Sequence, residues 1–265
     1  GAALRIDPRR FFEVLFLMLM AMCLFFIYLR NIGDRRAVQL YSEAGRLAYM
    51  SEAVEPSPAP PAMTSLVEDA PGAEAKEDAP SGMDLSPLQE VNADVVGWIA
   101  IPGVLSYPLL QGGDNAYYLT HAWNGEENAA GAVFLDCRTD ACLGDFNTLI
   151  YGHRMRNGTM FGSLKHYKDA DFWRENPSVY LANEDGTRRY DIYAAYETGL
   201  TTATYQREFS GPEEKQDFIR CGLERSVIDT GITPTVEDTV ITLSTCSGSS
   251  RDTRWVVQAV ASFTN

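Results

Sequence analysis

Histidine and cysteine are scarce in this chain, and basic residues are outnumbered. Its 265 residues include three histidines and five cysteines, with 22 Lys and Arg against 36 Asp and Glu. The net charge of −14 argues against a nucleic-acid binder, because neutralising phosphates takes a basic face. Five cysteines, an odd number at irregular spacing, do not suggest a disulfide framework. Cys137 and Cys142 lack Cys-x-x-Cys spacing and a nearby histidine, so the common metal-site patterns are missing. Together with Cys221 they read as small apolar residues. No metal and no organic cofactor is implied.

Long apolar runs are also rare, and one stands out. Residues 11–29 carry a single charge, Glu13, near one end. About 20 apolar residues span a bilayer as a helix, so this run is just long enough. Arg5, Arg9 and Arg10 precede it, and Arg30, Arg35 and Arg36 follow it. Basic flanks on both sides leave orientation undetermined by the positive-inside rule. No small-residue cleavage site follows, so residues 1–33 are expected to be an uncleaved, single-pass membrane anchor.

Two further segments precede the globular part. Val38, Tyr41, Ala44, Leu47 and Ala48 recur at three- and four-residue spacing, which predicts a helix over 34–53. Residues 54–84 then lose all periodicity. They hold six prolines, many alanines, and acids from Glu55 to Asp84 against Lys76 alone. Such a segment buries too little apolar surface to offset its ordering entropy, and predicts an acidic tether. The expected division is therefore 1–33 anchor, 34–84 juxtamembrane helix and tether, and 85–265 globular domain. Everything before residue 85 is expected to be dispensable for chemistry.

The domain opens on Ser86-Pro87, read as an N-cap and a first helical position. Strands are expected at 95–101, 106–110, 132–136, 148–151, 178–182, 189–198, 239–245 and 253–262. Short strands separated by turn signals predict a closed or nearly closed β-barrel. Short helical turns are expected at 114–119, 162–168 and 170–175. A longer amphipathic helix is expected at 212–228, with Phe218, Ile219, Leu223, Val227 and Ile228 on its apolar face.

Chemistry concentrates in Thr242-Leu243-Ser244-Thr245-Cys246 and in the following strand from Arg254. A cysteine where a strand gives way to a loop is held rigidly yet meets solvent, as a nucleophile must. Arg254 opens the next strand, near the same sheet end if the two strands pair. His153 ends another apolar strand in Leu149-Ile150-Tyr151-Gly152-His153. A thiolate to attack a carbonyl, an imidazole to move protons and a guanidinium to hold an oxyanion make a coherent set. His121 and His166 lack this context, and Arg251 is the nearest rival to Arg254.

At these residues the chain resembles a sortase, specifically of class B. The likeness continues through Asn92–Ile99, Ile101-Pro102-Gly103, Tyr107–Gln111 and Asp114–Leu119, and covers roughly 85–263. It implies an eight-stranded barrel with a long helix between the sixth and seventh strands. It implies a cysteine transpeptidase that cleaves a C-terminal sorting motif of exported proteins through a thioester. The acyl group then passes to an amine of peptidoglycan or a pilin, with the domain outside the cell membrane. Cys246, His153 and Arg254 are the implied catalytic residues. Asn115 and Leu119 are implied to line the peptide groove, Tyr151 to flank the histidine, and Ser244 to lie two before the cysteine. Thr201 and Tyr205, in the loop ending the sixth strand, are further substrate-binding candidates. Ser247-Gly248 replaces an acidic pair found after the cysteine in some members, so no carboxylate role is assigned there. Two other readings share these residues: a tethered cysteine peptidase releasing product to water, and a non-catalytic cell-surface binding barrel.

Overall fold

A computed structural model describes residues 8–49, 82–248, 250 and 252–262. Most of the expected tether, and Arg251, lie outside the described residues. The domain is a closed barrel of eight strands: β1 (Val95–Ile101), β2 (Leu105–Leu110), β3 (Val133–Leu135), β4 (Asn147–Tyr151), β5 (Ser178–Asn183), β6 (Gly186–Gly199), β7 (Val240–Cys246) and β8 (Thr253–Ala261). Around the barrel they run β1-β2-β3-β4-β7-β8-β6-β5. Closure leaves no unpaired edge. All eight expected strands form, with ends shifted by a few residues.

The apolar runs pack inward. Trp98, Ile99, Ile101, Leu110, Leu135, Ile150, Ile241, Leu243, Val257 and Ala259 are buried in one cluster. A second cluster lies under α3 (Pro212–Arg225), where Phe218 and Ile219 meet Phe146, Tyr193 and Tyr196. The sequence extends this helix to 228, but Ser226 ends it. Val227 is consequently exposed, and Ile228 is buried from the following loop. The short helix α2 (Ser86–Val91) also starts differently. Ser86 is its first residue rather than its cap, and the Asp84 carboxylate accepts the Ser86 N–H at 2.9 Å.

One helix, α1 (Pro8–Tyr49), joins the apolar run to the segment after it. Its side chains are exposed through 12–28, and it is long and apolar enough to cross a membrane. Beyond that run it docks on the barrel, which the sequence reading did not expect. Ala37, Leu40, Tyr41, Ala44 and Ala48 are buried, at three- and four-residue spacing along one face. Val38, assigned to the apolar stripe, is 52% exposed. The Asp84 N–H reaches the Ala48 carbonyl at 3.1 Å, tying the end of α1 to the start of the domain.

Candidate functional site

Strand register builds the site. β4 and β7 run parallel with Tyr151 opposite Ser244, so His153 and Cys246, each two residues further on, leave the barrel side by side. β8 runs antiparallel to β7 with Cys246 opposite Arg254. Three neighbouring strands thus bring the three residues to one rim. β7 is buried at every position until Cys246, which is exposed. The thiol therefore sits at the boundary of core and solvent.

The histidine is fixed by a main-chain contact. His153 Nε2 lies 2.7 Å from the Leu119 carbonyl oxygen. A carbonyl only accepts, so Nε2 carries a proton, and Nδ1 is the nitrogen left to exchange one. Gly152 N–H donates to the Ser244 carbonyl at 3.3 Å, tying this loop to β7. A methyl group on Gly152 would lie 2.8 Å from the Phe161 ring, so a glycine is required before the histidine.

A cleft of about 460 Å³ opens over the rim. His153, Cys246 and Arg254 line it, and so do Asn115, Leu119, Tyr151, Tyr205 and Ser244. Arg254 Nη1 donates to the Thr253 carbonyl at 3.0 Å. The Tyr205 hydroxyl and Ser244 Oγ are 2.9 Å apart. Burial raises the Tyr205 phenol pKa, while the Ser244 bond and the Arg254 charge pull it down. A buried relay fixes the Tyr205 loop. Tyr193 OH donates to Gln258 Oε1, Gln258 Nε2 to Thr242 Oγ1, Thr242 to Asn147 Oδ1, and Asn147 Nδ2 to the Gln206 carbonyl.

Thr201 departs from this set. It is exposed and does not line the cleft; its neighbour Leu200 does. A threonine at the tip of a turn points where the turn takes it, which periodicity does not reveal. The control histidines stay out of the cleft. His121 stacks on Tyr117 at 3.9 Å, and His166 packs toward Phe172. All five cysteines are free, and Cys142 is exposed rather than packed as a small apolar residue.

The sequence reading missed Asp136 and Arg138. Asp136 is fully buried at the end of β3, and Arg138 lines the cleft. Asp136 Oδ1 accepts from the Arg138 backbone N–H and Nε, and Oδ2 from Arg138 Nη2, Asn115 Nδ2 and Tyr151 OH. Burial pushes the Asp136 carboxyl up, but the Arg138 and Tyr151 bonds outweigh it and hold it down at about 2. One carboxylate thereby orients three side chains of the cleft wall. The available signal was an acid at the end of an apolar strand with an arginine two residues later.

The Sortase domain family model matches residues 100–262. Sortase B of Listeria monocytogenes (strain EGD-e) is 35% identical over 191 residues, covering 69% of this chain and 77% of that protein. A solved Staphylococcus aureus sortase B–substrate complex superposes with a TM-score of 0.64 at 31% identity, covering 68% of this chain and 85% of that one. The sortase B structure from B. anthracis gives a TM-score of 0.69 at 28% identity, over 87% of this chain and 98% of that chain.

Proposed function

The chain belongs to the sortase family, class B, and is a cysteine transpeptidase that anchors surface proteins; on that premise we propose that Cys246, His153 and Arg254 carry its chemistry. The supporting observation is the pair of registers, Tyr151 opposite Ser244 and Cys246 opposite Arg254, which gathers the three at one cleft.

The Cys246 thiol gives its proton to His153 Nδ1, and the thiolate Sγ attacks the backbone carbonyl of a sorting motif laid along the cleft. Attack forms a C–S bond and places negative charge on the carbonyl oxygen. The Arg254 guanidinium and a backbone N–H hold that charge. As the C–N bond breaks, His153 delivers a proton to the leaving amine from Nδ1, while Leu119 keeps Nε2 engaged. The resulting thioester is attacked by an acceptor amine, and His153 takes up the proton that the amine sheds. Asn115, Leu119, Tyr151, Tyr205 and Ser244 form the walls against which the motif binds. Arg138 belongs with them, and Thr201, exposed beside the cleft-lining Leu200, stays a candidate for the peptide's edge. The substrates are exported proteins bearing the motif, and the acceptor is an amine of peptidoglycan or a pilin. The apolar part of α1 crosses the membrane and the barrel lies outside it.

The test is turnover of a small library of sorting peptides, with and without an amine acceptor. Folded Cys246→Ala should cleave nothing, while Cys137→Ala, Cys142→Ala and Cys221→Ala keep most activity. A methanethiosulfonate reagent should inactivate the wild type. Cleavage surviving in Cys246→Ala would end the nucleophile assignment. Product that stays hydrolytic at every acceptor concentration would favour the peptidase reading.

A further inference from the structure

We propose that the docked end of α1 is part of the catalytic apparatus, with Tyr41 a positioning residue that fixes His153. This rests on the reading of His153 as the proton-transfer group. Tyr41 lies in a segment assigned from the sequence to the region before the domain. Yet it braces the histidine from two directions.

The first path runs through Gly131. The Tyr41 hydroxyl is buried and donates to the Gly131 carbonyl at 2.5 Å. Gly131 has φ +59°, and a methyl group there would lie 2.5 Å from the Tyr118 carbonyl oxygen, 2.9 Å from the Leu119 carbonyl oxygen and 3.0 Å from His153 Cδ2. The glycine is thus wedged between α1, the imidazole and the carbonyl that holds Nε2. Ala132 N–H also bonds the Tyr118 carbonyl at 2.8 Å, so this strand and the Leu119 turn move together. A shift of Gly131 carries the histidine's hydrogen-bond acceptor with it.

The second path runs through Tyr107. The Tyr41 ring meets the Tyr107 ring edge-on, with centroids 5.2 Å apart at 85°. Met160 N–H donates to the Tyr107 hydroxyl at 2.9 Å, and Phe161 N–H donates to the His153 carbonyl at 3.0 Å. Tyr41 therefore supports both the main chain of His153 and the partner of its ring. A third contact holds the helix in place: Trp123 Nε1 donates to the Leu40 carbonyl at 2.9 Å. The Arg36–Glu126 ion pair at 2.7 Å is exposed on both sides and contributes little to this.

The consequence is kinetic rather than purely structural. Proton transfer depends on placement, and a misplacement of about 1 Å can cost up to about a hundredfold in rate. Tyr41→Phe keeps the ring and its packing on Tyr107 but removes the hydroxyl. In the full chain it should lower kcat about tenfold, with KM changed less than twofold and melting close to wild type. Arg36→Ala should leave kcat within twofold. The direct readout is ¹⁵N-imidazole NMR of His153: the Nε2 proton, protected by Leu119, should exchange with water faster in Tyr41→Phe. His153→Ala is made in parallel. If His153→Ala remains active, the assignment of His153 fails and this inference fails with it. If His153→Ala is dead while Tyr41→Phe keeps both kcat and Nε2–H protection, α1 is packing only and the positioning role is refuted. Should Tyr41→Phe fold poorly, Trp123→Phe tests the same coupling from the neighbouring contact, with the same two readouts.

Discussion

Replacing Asp136 by asparagine is expected to loosen one wall of the cleft while leaving the nucleophile intact. The substitution is nearly isosteric, so the effect is one of hydrogen-bond polarity. Five donor contacts converge on the carboxylate, two on Oδ1 and three on Oδ2. Asparagine retains one acceptor and turns an NH₂ toward the donors of the other oxygen. Arg138 is 59% exposed and can return to water, so its lost bonds count for little. Asn115 Nδ2 and Tyr151 OH are the donors that suffer. Bonds to a charged acceptor are worth about 1.5–3 kcal/mol each, and one of the two can partly rearrange. The expected loss is about 2–4 kcal/mol, or a melting point lower by on the order of 10 °C. Because Asn115, Tyr151 and Arg138 all line the cleft, KM should rise about three- to tenfold, while the rate of Cys246 alkylation stays near wild type.

The same carboxylate predicts a pH dependence. Its pKa is lowered from 3.8 to about 2 in the folded protein. Its stabilisation is therefore complete above about pH 4 and lost as pH falls through about 2. Allowing for solvent on the Arg138 side, that is about 1–2 kcal/mol. Denaturant melts of wild type and Asp136→Asn between pH 5 and pH 2 should converge as the pH falls. A variant that melts with wild type at pH 7 and keeps the wild-type KM would refute the idea that one buried carboxylate sets this wall.

Two further outcomes are expected. Arg254→Ala should lower kcat by at least about 10²–10³ with a smaller change in KM, since in the proposed mechanism its charge faces an oxyanion that exists only after attack. Arg254→Lys should recover only part, because the planar fork of donors is lost; an unchanged kcat in Arg254→Ala would remove the guanidinium from the mechanism. For topology, Cys142 is exposed on the barrel and should react with a membrane-impermeant thiol reagent on intact cells in a Cys246→Ala background. Labelling confined to lysed cells would place the domain on the other side of the membrane.

The sequence was legible wherever the signal was local. Val240–Cys246 reads as a buried strand because each residue before the cysteine is apolar or β-branched or small, and the structure buries them all. The apolar run of α1 declares itself by length alone. The neighbourhood of Cys246 and Arg254 followed from one short connection between strands adjacent in the chain. Motif order then gave the family, and with it His153, although nothing local says that β4 lies beside β7. That parallel pairing joins strands distant in the chain, and only the closed barrel decides it.

The rest depended on partners the sequence does not identify. The docking face of α1 is built from Ala37, Leu40, Tyr41, Ala44 and Ala48. Three of these are alanines, which suit a solvent-exposed helix as well as a close-packed one, so periodicity could not separate tether from domain. Asp136 takes its donors from Arg138, Tyr151 and Asn115, three positions that meet only when β3, β4 and the 114–119 turn assemble. Thr201 and Leu200 are neighbours in one turn, and the turn's path alone put Leu200 into the cleft. Local pattern determined which elements form and which residues carry reactive groups. Long-range packing decided which of those groups face one another, because a hydrogen bond or a register depends on where a second segment lies, and that is a property of the closed barrel.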